Sequence, residues 1–474
     1  MNITFEPPQP LGLDGKRVAV LGLARTGIAA VEALCQRGAF VAGCDSKALA
    51  DLGDAPARLD AVGACLVDHC QVFEQIGGPG AVDLIVVSPG IPVDHAILRE
   101  ARSHGVRIIG EIELAYRLLR CPIIAVTGTN GKGTTCTVLG DMLDRAGMRV
   151  AVAGNIGTPL VSYADTPLDA IVAEISSFQF ETVELFRPAI SVLLNITPDH
   201  LSDRHGDFDA YVAAKRRMFV NQTDRDFAIL NIDDPVVASL AGAIPASVLT
   251  VSLGGSATGR LEGDLLVVET EATGRLEVCS ASDIPVPGEH NRRNFLCAAL
   301  AAALCGASAL SMREAIAAFK PALHLLTPVG EARGVHFLDD SKATNPASAI
   351  ADLSALSGEV IVISGGKDKG SDFRDLGDAI AAHAKAAFLI GETKHRIAAA
   401  IGGRVPMNLC ANLEQAVREA FATASPGATV VLLPACSSFD MFADYAARGD
   451  AFADLARQIA REAALMPGSG ALKL

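Results

Sequence analysis

At 474 residues and 49.1 kDa, the chain exceeds what one hydrophobic core usually organises, so two or three domains are expected. Half of its residues are hydrophobic and its mean hydropathy is +0.34, which excludes extended disorder. A net charge of −14, a pI near 5.2, no Trp and four Tyr argue against a generic duplex binder and against an aromatic platform for single strands. The start MNITFEPPQP carries acid and prolines where a secretory signal needs a basic, then apolar, stretch, and no apolar run of about 20 residues follows, so a cytoplasmic protein is expected. Eleven scattered Cys without C-x-x-C spacing predict reduced core thiols rather than a zinc or disulfide framework.

In chain order, Arg17 to Leu21 is a short apolar run, followed by Gly22-Leu-Ala-Arg-Thr-Gly27, a helix-like segment to about Gly38, and the strand-like Phe40 to Cys44 ending in Asp45. That is a β-α-β unit. Its Gly22-x-Ala24-x-x-Gly27 with Asp45 downstream resembles a dinucleotide fingerprint without the middle glycine, which supports a nucleotide-like ligand better than NAD. Val82 to Val87 and Arg107 to Gly110 read as strands before a helix over Glu111 to Leu119. A second series opens at Pro122 to Thr127, passes through a Gly-rich turn and a helix to about Arg145, and adds runs at Arg149 to Val152, Leu168 to Val172 and Ile190 to Leu194. Gly206 to Val220 predicts a helix and Phe227 to Leu230 a strand; short β runs fill roughly 245–285, ahead of an Ala-rich helix from about Asn291 to Leu304. After Pro321 the rhythm restarts with Val335 to Leu338, Val360 to Ile363, Ala387 to Ile390 and Thr429 to Leu433, and the tail Met466 to Leu474 is expected to fray. The fold class is α/β, with mainly parallel sheets whose ligands lie beyond the strand carboxyl ends.

The strongest local signal is Gly128-Thr129-Asn130-Gly131-Lys132-Gly133-Thr134, directly after one strand and before a helix. Glycines allow tight curvature, exposed N–H groups face phosphate oxygens, and Lys132 adds a positive charge; a purely structural Gly turn is the alternative. A triphosphate brings magnesium, for which Glu174 and His200 at strand ends and the Thr134 hydroxyl are candidates. Capping near Ser176 and a loop hydrogen bond with Asp199 are the structural alternatives for the first two. Lys215, in Ala213-Ala-Lys-Arg-Arg217, reads as a solvated basic face or, if its neighbours converge on phosphate, as a fixed or modified amine. Asn291 suits a helix cap, and Asn294 one turn on shares a ligand face able to read an adenine edge. Lys342 and Lys369 follow buried strands and precede small residues, where they form salt bridges or receive carboxylates and phosphates.

In combination, Gly128 to Thr134, Gly154-Asn-Ile-Gly157, Glu174-Ile-Ser-Ser-Phe-Gln179, Asn195 to His200 with Asp203-Arg-His205, Tyr211-Val-Ala-Ala-Lys215, Gly288-Glu-His-Asn291, Asp340-Ser-Lys-Ala-Thr-Asn345 and Pro434-Ala-Cys-Ser-Ser438 resemble the Mur ligase family over nearly the whole chain. Within it they are similar to the branch that adds glutamate to UDP-N-acetylmuramoyl-L-alanine. The resemblance implies a three-domain architecture: an N-terminal Rossmann-like uridine-nucleotide domain (1–110), a central P-loop ATPase domain (111–321) and a C-terminal Rossmann-like amino-acid-binding domain (322–474). It implies ATP-dependent amide-bond formation through an acyl phosphate, giving ADP and phosphate, in peptidoglycan precursor synthesis and so in cell-wall biogenesis, cell shape and division. The expected enzyme is a cytoplasmic monomer that needs ATP and Mg2+, binds no nucleic acid and inserts in no membrane.

The same resemblance implies site roles. Gly128, Thr129, Asn130, Gly131, Lys132, Gly133 and Thr134 match ATP contacts, with Asn291 and Asn294 at the adenine and Asp340 at the ribose. Gly22, Thr26, Asp45, Ser46, Lys47 and Gly90 match the uridine-precursor site, and Asn155 lies near the precursor. Thr134, Glu174, His200 and a carbamylated Lys215 match the metal positions. Lys132, His200, Lys215 and Lys342 match catalytic positions, and Thr344, Lys369, Ser438, Phe439 and Tyr445 surround the incoming glutamate.

Two departures stand out. His324-Leu325-Leu326-Thr327 occupies the place of the usual His-Arg-x-Glu, so a phosphate-contacting Arg is Leu325, and the inserted Ser202 displaces Asp203. They admit the L-glutamate-adding paralogue beside the favoured D-glutamate enzyme. A folylpolyglutamate synthase shares the ATPase and glutamate ligation but is not expected to carry a separate uridine-binding β-α-β unit. A nucleotide-binding module without chemistry is what Leu325 alone would suggest.

Overall fold

The computed structural model describes residues 5–68, 71–72, 81–155 and 157–465; the tail Met466 to Leu474 lies outside them. Three sheets carry the chain. The first joins β1 (Arg17–Leu21), β2 (Phe40–Cys44), β3 (Cys65–Val67), β4 (Leu84–Val87) and β5 (Arg107–Gly110) in the order β3-β2-β1-β4-β5, all parallel. Val18, Val20, Leu21, Ile85 and Val86 are almost fully buried, as a sheet covered on both faces requires. The strand order reverses between β1 and β4, so the loops after these two strands open onto one crevice.

The second sheet contains β6 (Ile123–Thr127), β7 (Val150–Gly154), β8 (Ala170–Glu174), β9 (Ile190–Leu193), β10 (Phe227–Asn231), β11 (Ser247–Ser252), β12 (Gly259–Glu262), β13 (Leu265–Thr270) and β14 (Gly274–Ser280). Its order is β14-β13-β12-β11-β10-β9-β6-β8-β7. The short β runs expected over 245–285 are its edge: β12 to β14 form an antiparallel meander on an otherwise parallel sheet. β6 lies between β8 and β9, which places the Gly-rich turn in the middle of the sheet. The Ala-rich helix Glu289–Leu304 is buried around its whole circumference from Phe295 to Leu304, where small side chains let it pack closely.

The helix expected over Gly206 to Val220 is broken into parts. A π-type turn over Leu201–His205 precedes a helix over Phe208–Arg216, and a tighter 3-10 turn follows at Arg217–Phe219, where Arg217 donates to the carbonyls of Phe180 and Val183 (both 2.7 Å). Those long-range acceptors draw the chain out of helical register, which periodicity along the segment does not encode.

The third sheet has the order β15-β16-β20-β17-β18-β19, built from β15 (Thr327–Ala332), β16 (Val335–Asp339), β17 (Val360–Gly365), β18 (Ala386–Ile390), β19 (Met407–Leu409) and β20 (Thr429–Leu432). Only β15 runs antiparallel among its described strands. The terminal helix Tyr445–Leu465 covers one face with Phe452, Ala456 and Ile459, while Ala349 and Leu353 of the helix Pro346–Ala355 cover the other. Truncating a fully buried Phe such as Phe452 costs about 3–5 kcal/mol.

The chain divides into two compact units. Met1–Ile196, Asp209–Asp283 and Arg292–Ala318 make up one, with the first two sheets; Thr197–Phe208, Ile284–Asn291 and Phe319–Leu474 make up the other, with the third. Among the described residues no helix is long and apolar enough to cross a membrane. The described cysteines are free, and burial pushes the Cys44 and Cys436 thiols up to about 12, as expected of unreactive core thiols.

Candidate functional site

β6 ends at Thr127, whose hydroxyl donates to the carbonyl of Ile175 (2.7 Å) and fixes where the Gly-rich turn begins. Asn195, at the end of the neighbouring strand, clamps that turn. Its Oδ1 accepts from the Asn130 N–H (2.9 Å), its Nδ2 donates to the Asn130 carbonyl (3.0 Å), and its own carbonyl accepts from the Thr129 N–H (2.9 Å). Gly131 then starts the helix Lys132–Arg145 at φ +84°, a left-handed conformation; a Cβ there would lie 2.5 Å from Oδ1 of Asn294. Only glycine meets both demands. The first-turn N–H groups at Lys132, Gly133 and Thr134 therefore point out of a helix start with no intrahelical acceptor, the arrangement that binds phosphate.

Two lysines crowd this turn. Lys132 Nζ donates to the Gly128 and Thr129 carbonyls (2.9 and 2.8 Å), and Lys215 Nζ donates to the same Gly128 carbonyl (2.9 Å). Lys215 is 1% exposed, lies 4.7 Å from the centre of the Tyr211 ring, and Tyr211 Oη is 3.0 Å from Thr129 Oγ1. The solvated-face alternative for Lys215 is thereby removed: its helix turns the lysine inward because Tyr211, Ala214 and Lys215 form the buried stripe. The positive charge of Lys132 at this open helix start favours an anion.

Glu174 ends β8, in register with Val126, and is buried. Its Oε1 accepts from Asn155 Nδ2 (2.9 Å), while Oε2 is buried with no hydrogen-bond partner among the described residues. Capping does not explain it, since Ser176 and Gln179 close the next helix themselves (Ser176 N–H to Gln179 Oε1, 2.9 Å). An orphaned carboxylate oxygen one strand from a phosphate turn fits a hard divalent cation. Among the described residues no three His, Cys, Asp or Glu side chains form a cage.

In the first sheet, Asp45 after β2 accepts from the Leu23 N–H (2.7 Å) through one oxygen and from the Lys47 N–H (2.9 Å) through the other. Ser88 after β4 donates to the Gly22 carbonyl (2.9 Å). A Cβ on Gly27 would overlap that same Gly22 carbonyl, so the helix Arg25–Cys35, with Thr26 in its first turn, can approach β1 only because Gly27 is there. Gly22, Thr26, Asp45, Ser46 and Lys47 are thus drawn to one crevice, with Gly90 in the turn after β4 beside it.

In the other unit, the loops after β16, β20 and β17 come from adjacent strands. Arg448, absent from the sequence-derived candidates, ties two of them together: Nε donates to Ser341 Oγ (2.9 Å), Nη2 to the Ser341 carbonyl (2.9 Å) and Nη1 to the Cys436 carbonyl (3.1 Å). It is fully buried, and burial lowers its pKa to about 10. Its spacing in the terminal helix gave no signal, because an arginine there normally reads as a solvated face. Ser438 is buried, Thr344 and Lys369 are half-buried, and Phe439 and Tyr445 are exposed on the neighbouring loop and helix start. Lys342 holds its loop through its own N–H to the His324 carbonyl (3.0 Å). Lys369 Nζ lies 3.8 Å from Asp199, the ion-pair alternative foreseen for it, and Asp199 also sits 3.8 Å from His200 Nε2. The π-type turn after His200, closed by His205 N–H to the His200 carbonyl (3.1 Å) and Gly206 N–H to the Leu201 carbonyl (2.8 Å), accommodates the inserted Ser202.

Asn291 is not a cap. The helix begins two residues earlier at Glu289, and Asn291 Nδ2 donates to the Pro287 carbonyl (2.6 Å) instead of accepting a first-turn N–H. Asp340 is fully buried; Oδ1 accepts from the Leu326 N–H (3.2 Å), and Oδ2 has no hydrogen-bond partner among the described residues. Burial and the adjacent carboxylate hold the Asp340 carboxyl well above the usual range.

Comparison with known proteins gives one consistent result. Residues 16–110 match the Mur ligase MurD-like N-terminal domain, 126–302 the Mur ligase middle domain, and 326–436 the Mur ligase glutamate ligase domain. The UDP-N-acetylmuramoylalanine--D-glutamate ligase of Acidobacterium capsulatum is 42% identical over 454 residues, 94% of this chain and 96% of that protein. The protein of the same name in Solibacter usitatus is 42% identical over 93% of this chain and 97% of its own length. Among solved structures, a pseudomurein peptide ligase type C from Methanothermus fervidus superposes with a TM-score of 0.60 at 17% identity, covering 94% of this chain and all of that one. E. coli FolC, with a TM-score of 0.53 at 18% identity, covers 74% of this chain and 92% of its own. These structural likenesses concern the fold.

Proposed function

The chain belongs to the Mur ligase family, and from that membership we propose that it joins D-glutamate to UDP-N-acetylmuramoyl-L-alanine at the expense of ATP, releasing ADP and phosphate, in peptidoglycan synthesis. The observation that carries the reading is the turn after β6, where Lys132 and Lys215 reach one carbonyl below an open helix start, one strand from the orphaned Glu174 carboxylate. Relatives about 40% identical over more than nine-tenths of the chain bear the D-glutamate ligase name, which favours D- over L-glutamate. FolC matches a smaller share of the chain, which speaks against the folylpolyglutamate reading.

In this reading the precursor carboxylate attacks the ATP γ-phosphoryl group and becomes an acyl phosphate, since a carboxylate is itself a poor acyl donor. Lys132 and the N–H groups at 132–134 stabilise the charge that spreads over the transferring oxygens. Magnesium, when bound, neutralises phosphate charge; Glu174 would hold it, with Thr134, His200 and a carbamylated Lys215 as further ligands. The loops bearing Lys342, Thr344, Lys369, Ser438, Phe439 and Tyr445 receive glutamate, whose amine attacks the activated carbonyl and expels phosphate. Gly22, Thr26, Asp45, Ser46, Lys47, Gly90 and Asn155 hold the uridine precursor, and Asn291, Asn294 and Asp340 the adenosine. Three domains, at 1–110, 111–321 and 322–474, divide this work in one monomer.

The test is phosphate release and product separation with UDP-N-acetylmuramoyl-L-alanine, ATP and either D- or L-glutamate. Turnover with D-glutamate is expected. Turnover with L-glutamate alone would transfer the chain to the paralogous reading, and inactivity with both would reject the ligase.

A further inference from the structure

The helix Pro346–Ala355 carries a buried acid that neither the proposed mechanism nor the core accounts for. Asp352 is 4% exposed and faces two residues already given nucleotide roles or flanking one. On one side lies the Asp340 carboxyl, fully buried and held well above the usual carboxylate range by burial and by Asp352 itself. On the other side Oδ1 lies 3.2 Å from His290 Nε2, immediately before Asn291. The fit is close along the whole contact: Gly288, at φ +101°, has no room for a side chain, since a Cβ would sit 3.2 Å from the Ala355 Cβ and closer still to the His290 ring. Asp340 Oδ2 and Asp352 Oδ1 are both buried without a hydrogen-bond partner among the described residues, which a purely structural pair of acids does not explain. A helix that needed only to cover the sheet would place an apolar residue here, as it does at Ala349 and Leu353.

We propose that Asp352 is a positioning residue of the nucleotide site: one buried carboxylate, packed between the Asp340 carboxyl and the His290 ring, fixes the ribose-facing loop and the adenine-facing segment Gly288 to Asn291 in one arrangement. Asp352 does not touch ATP. It acts through Asp340 and His290, both of which move if it is lost. The inference rests on the ATP-dependent ligase reading and deepens it, because it concerns affinity for the nucleoside and leaves the phosphate turn untouched.

The experiment compares the full-length parent with Asp352→Leu, Asp352→Asn and His290→Ala by steady-state kinetics in all three substrates and by calorimetric binding of ADP. Asp352→Leu removes both grips and leaves Asp340 without its polar neighbour, so KM for ATP and Kd for ADP are expected to rise about tenfold. KM for the uridine precursor should stay within about twofold, and KM for D-glutamate, whose loop Asp340 opens, should rise less than KM for ATP. Asp352→Asn keeps the shape and polarity of the side chain between Asp340 and His290 and should return ADP affinity to within about threefold of the parent. His290→Ala, which removes one grip without touching the helix, should weaken ADP about threefold and keeps the test decisive if Asp352→Leu does not fold. Unchanged ADP affinity in Asp352→Leu or, failing that variant, in His290→Ala overturns the proposal; so does an equal loss for all three substrates, which would mark a merely structural residue. A parent with no affinity for ADP would overturn the ATP-dependent reading itself, whereas a parent that binds ADP and variants that bind it equally well would overturn the role of Asp352 alone.

Discussion

Lys132 Nζ lies at the Gly128 and Thr129 carbonyls beside the open helix start, placed to meet the charge of a polyphosphate. Lys132→Ala is therefore expected to lower kcat by about 10²–10³-fold or more, as loss of a donor aimed at transition-state charge does elsewhere; phosphate release at saturating substrate measures it, and undiminished turnover refutes the role. Arg448 has a different task. Replacing it by Lys keeps a charge but loses the planar fork that reaches Ser341 and Cys436 together. Arg448→Lys should destabilise the protein by about 1–3 kcal/mol in urea unfolding and raise KM for glutamate, since the two loops it ties would drift apart. Unchanged unfolding and KM would show the fork to be dispensable. Lysine 132 was legible in the sequence because the strand-turn-helix setting is local. Arginine 448 was not, because its acceptors lie 107 and 12 residues away and nothing in its own helix marks it as buried.

At the level of elements, the turn Gly128 to Lys132 works because Gly131 combines a left-handed backbone with contact to Asn294. Gly131→Ala is expected to cost about 1–2 kcal/mol from the backbone conformation alone, and to raise KM for ATP as the first turn is displaced. Thermal melting and ATP kinetics check the two parts, and a melting temperature and KM equal to the parent's would show that the turn tolerates a Cβ. The sequence located this element and the strands on either side of it. Of the single helix expected over 206–220, Phe208–Arg216 is helical and Arg217–Phe219 tightens to a 3-10 turn as Arg217 is drawn to Phe180 and Val183; the π-type turn at Leu201–His205, before that segment, was not foreseen. The sequence also misjudged Asn291, whose helix starts one half-turn earlier than its polarity suggests.

For the molecule as a whole, Glu111 links the end of the first sheet to the second. It is fully buried at the start of the helix Glu111–Leu118, accepts from the Val161 N–H (2.7 Å), and burial raises its pKa from 4.5 to about 7. A raised folded pKa means the folded state binds the proton more tightly. The contribution is therefore fully present below pH 4.5 and is lost as pH rises through about 7. Its size is roughly 3 kcal/mol. Glu111→Gln should remove this slope, so the difference in unfolding free energy between the two proteins should change across that window; a pH-independent difference would contradict the raised pKa.

What the sequence determined by itself was the series of strands, turns and helices, the phosphate turn and the order of motifs that marks the family, because each depends on residues close in the chain and on periodicities of two or 3.6. What only the tertiary structure decided was which distant groups meet: Asn155 with Glu174, Lys215 with Gly128, Arg448 with Ser341, Asp352 with Asp340 and His290. Strand order sets those meetings. A sheet running β15-β16-β20-β17-β18-β19 makes neighbours of segments some ninety residues apart, and no local pattern carries that pairing.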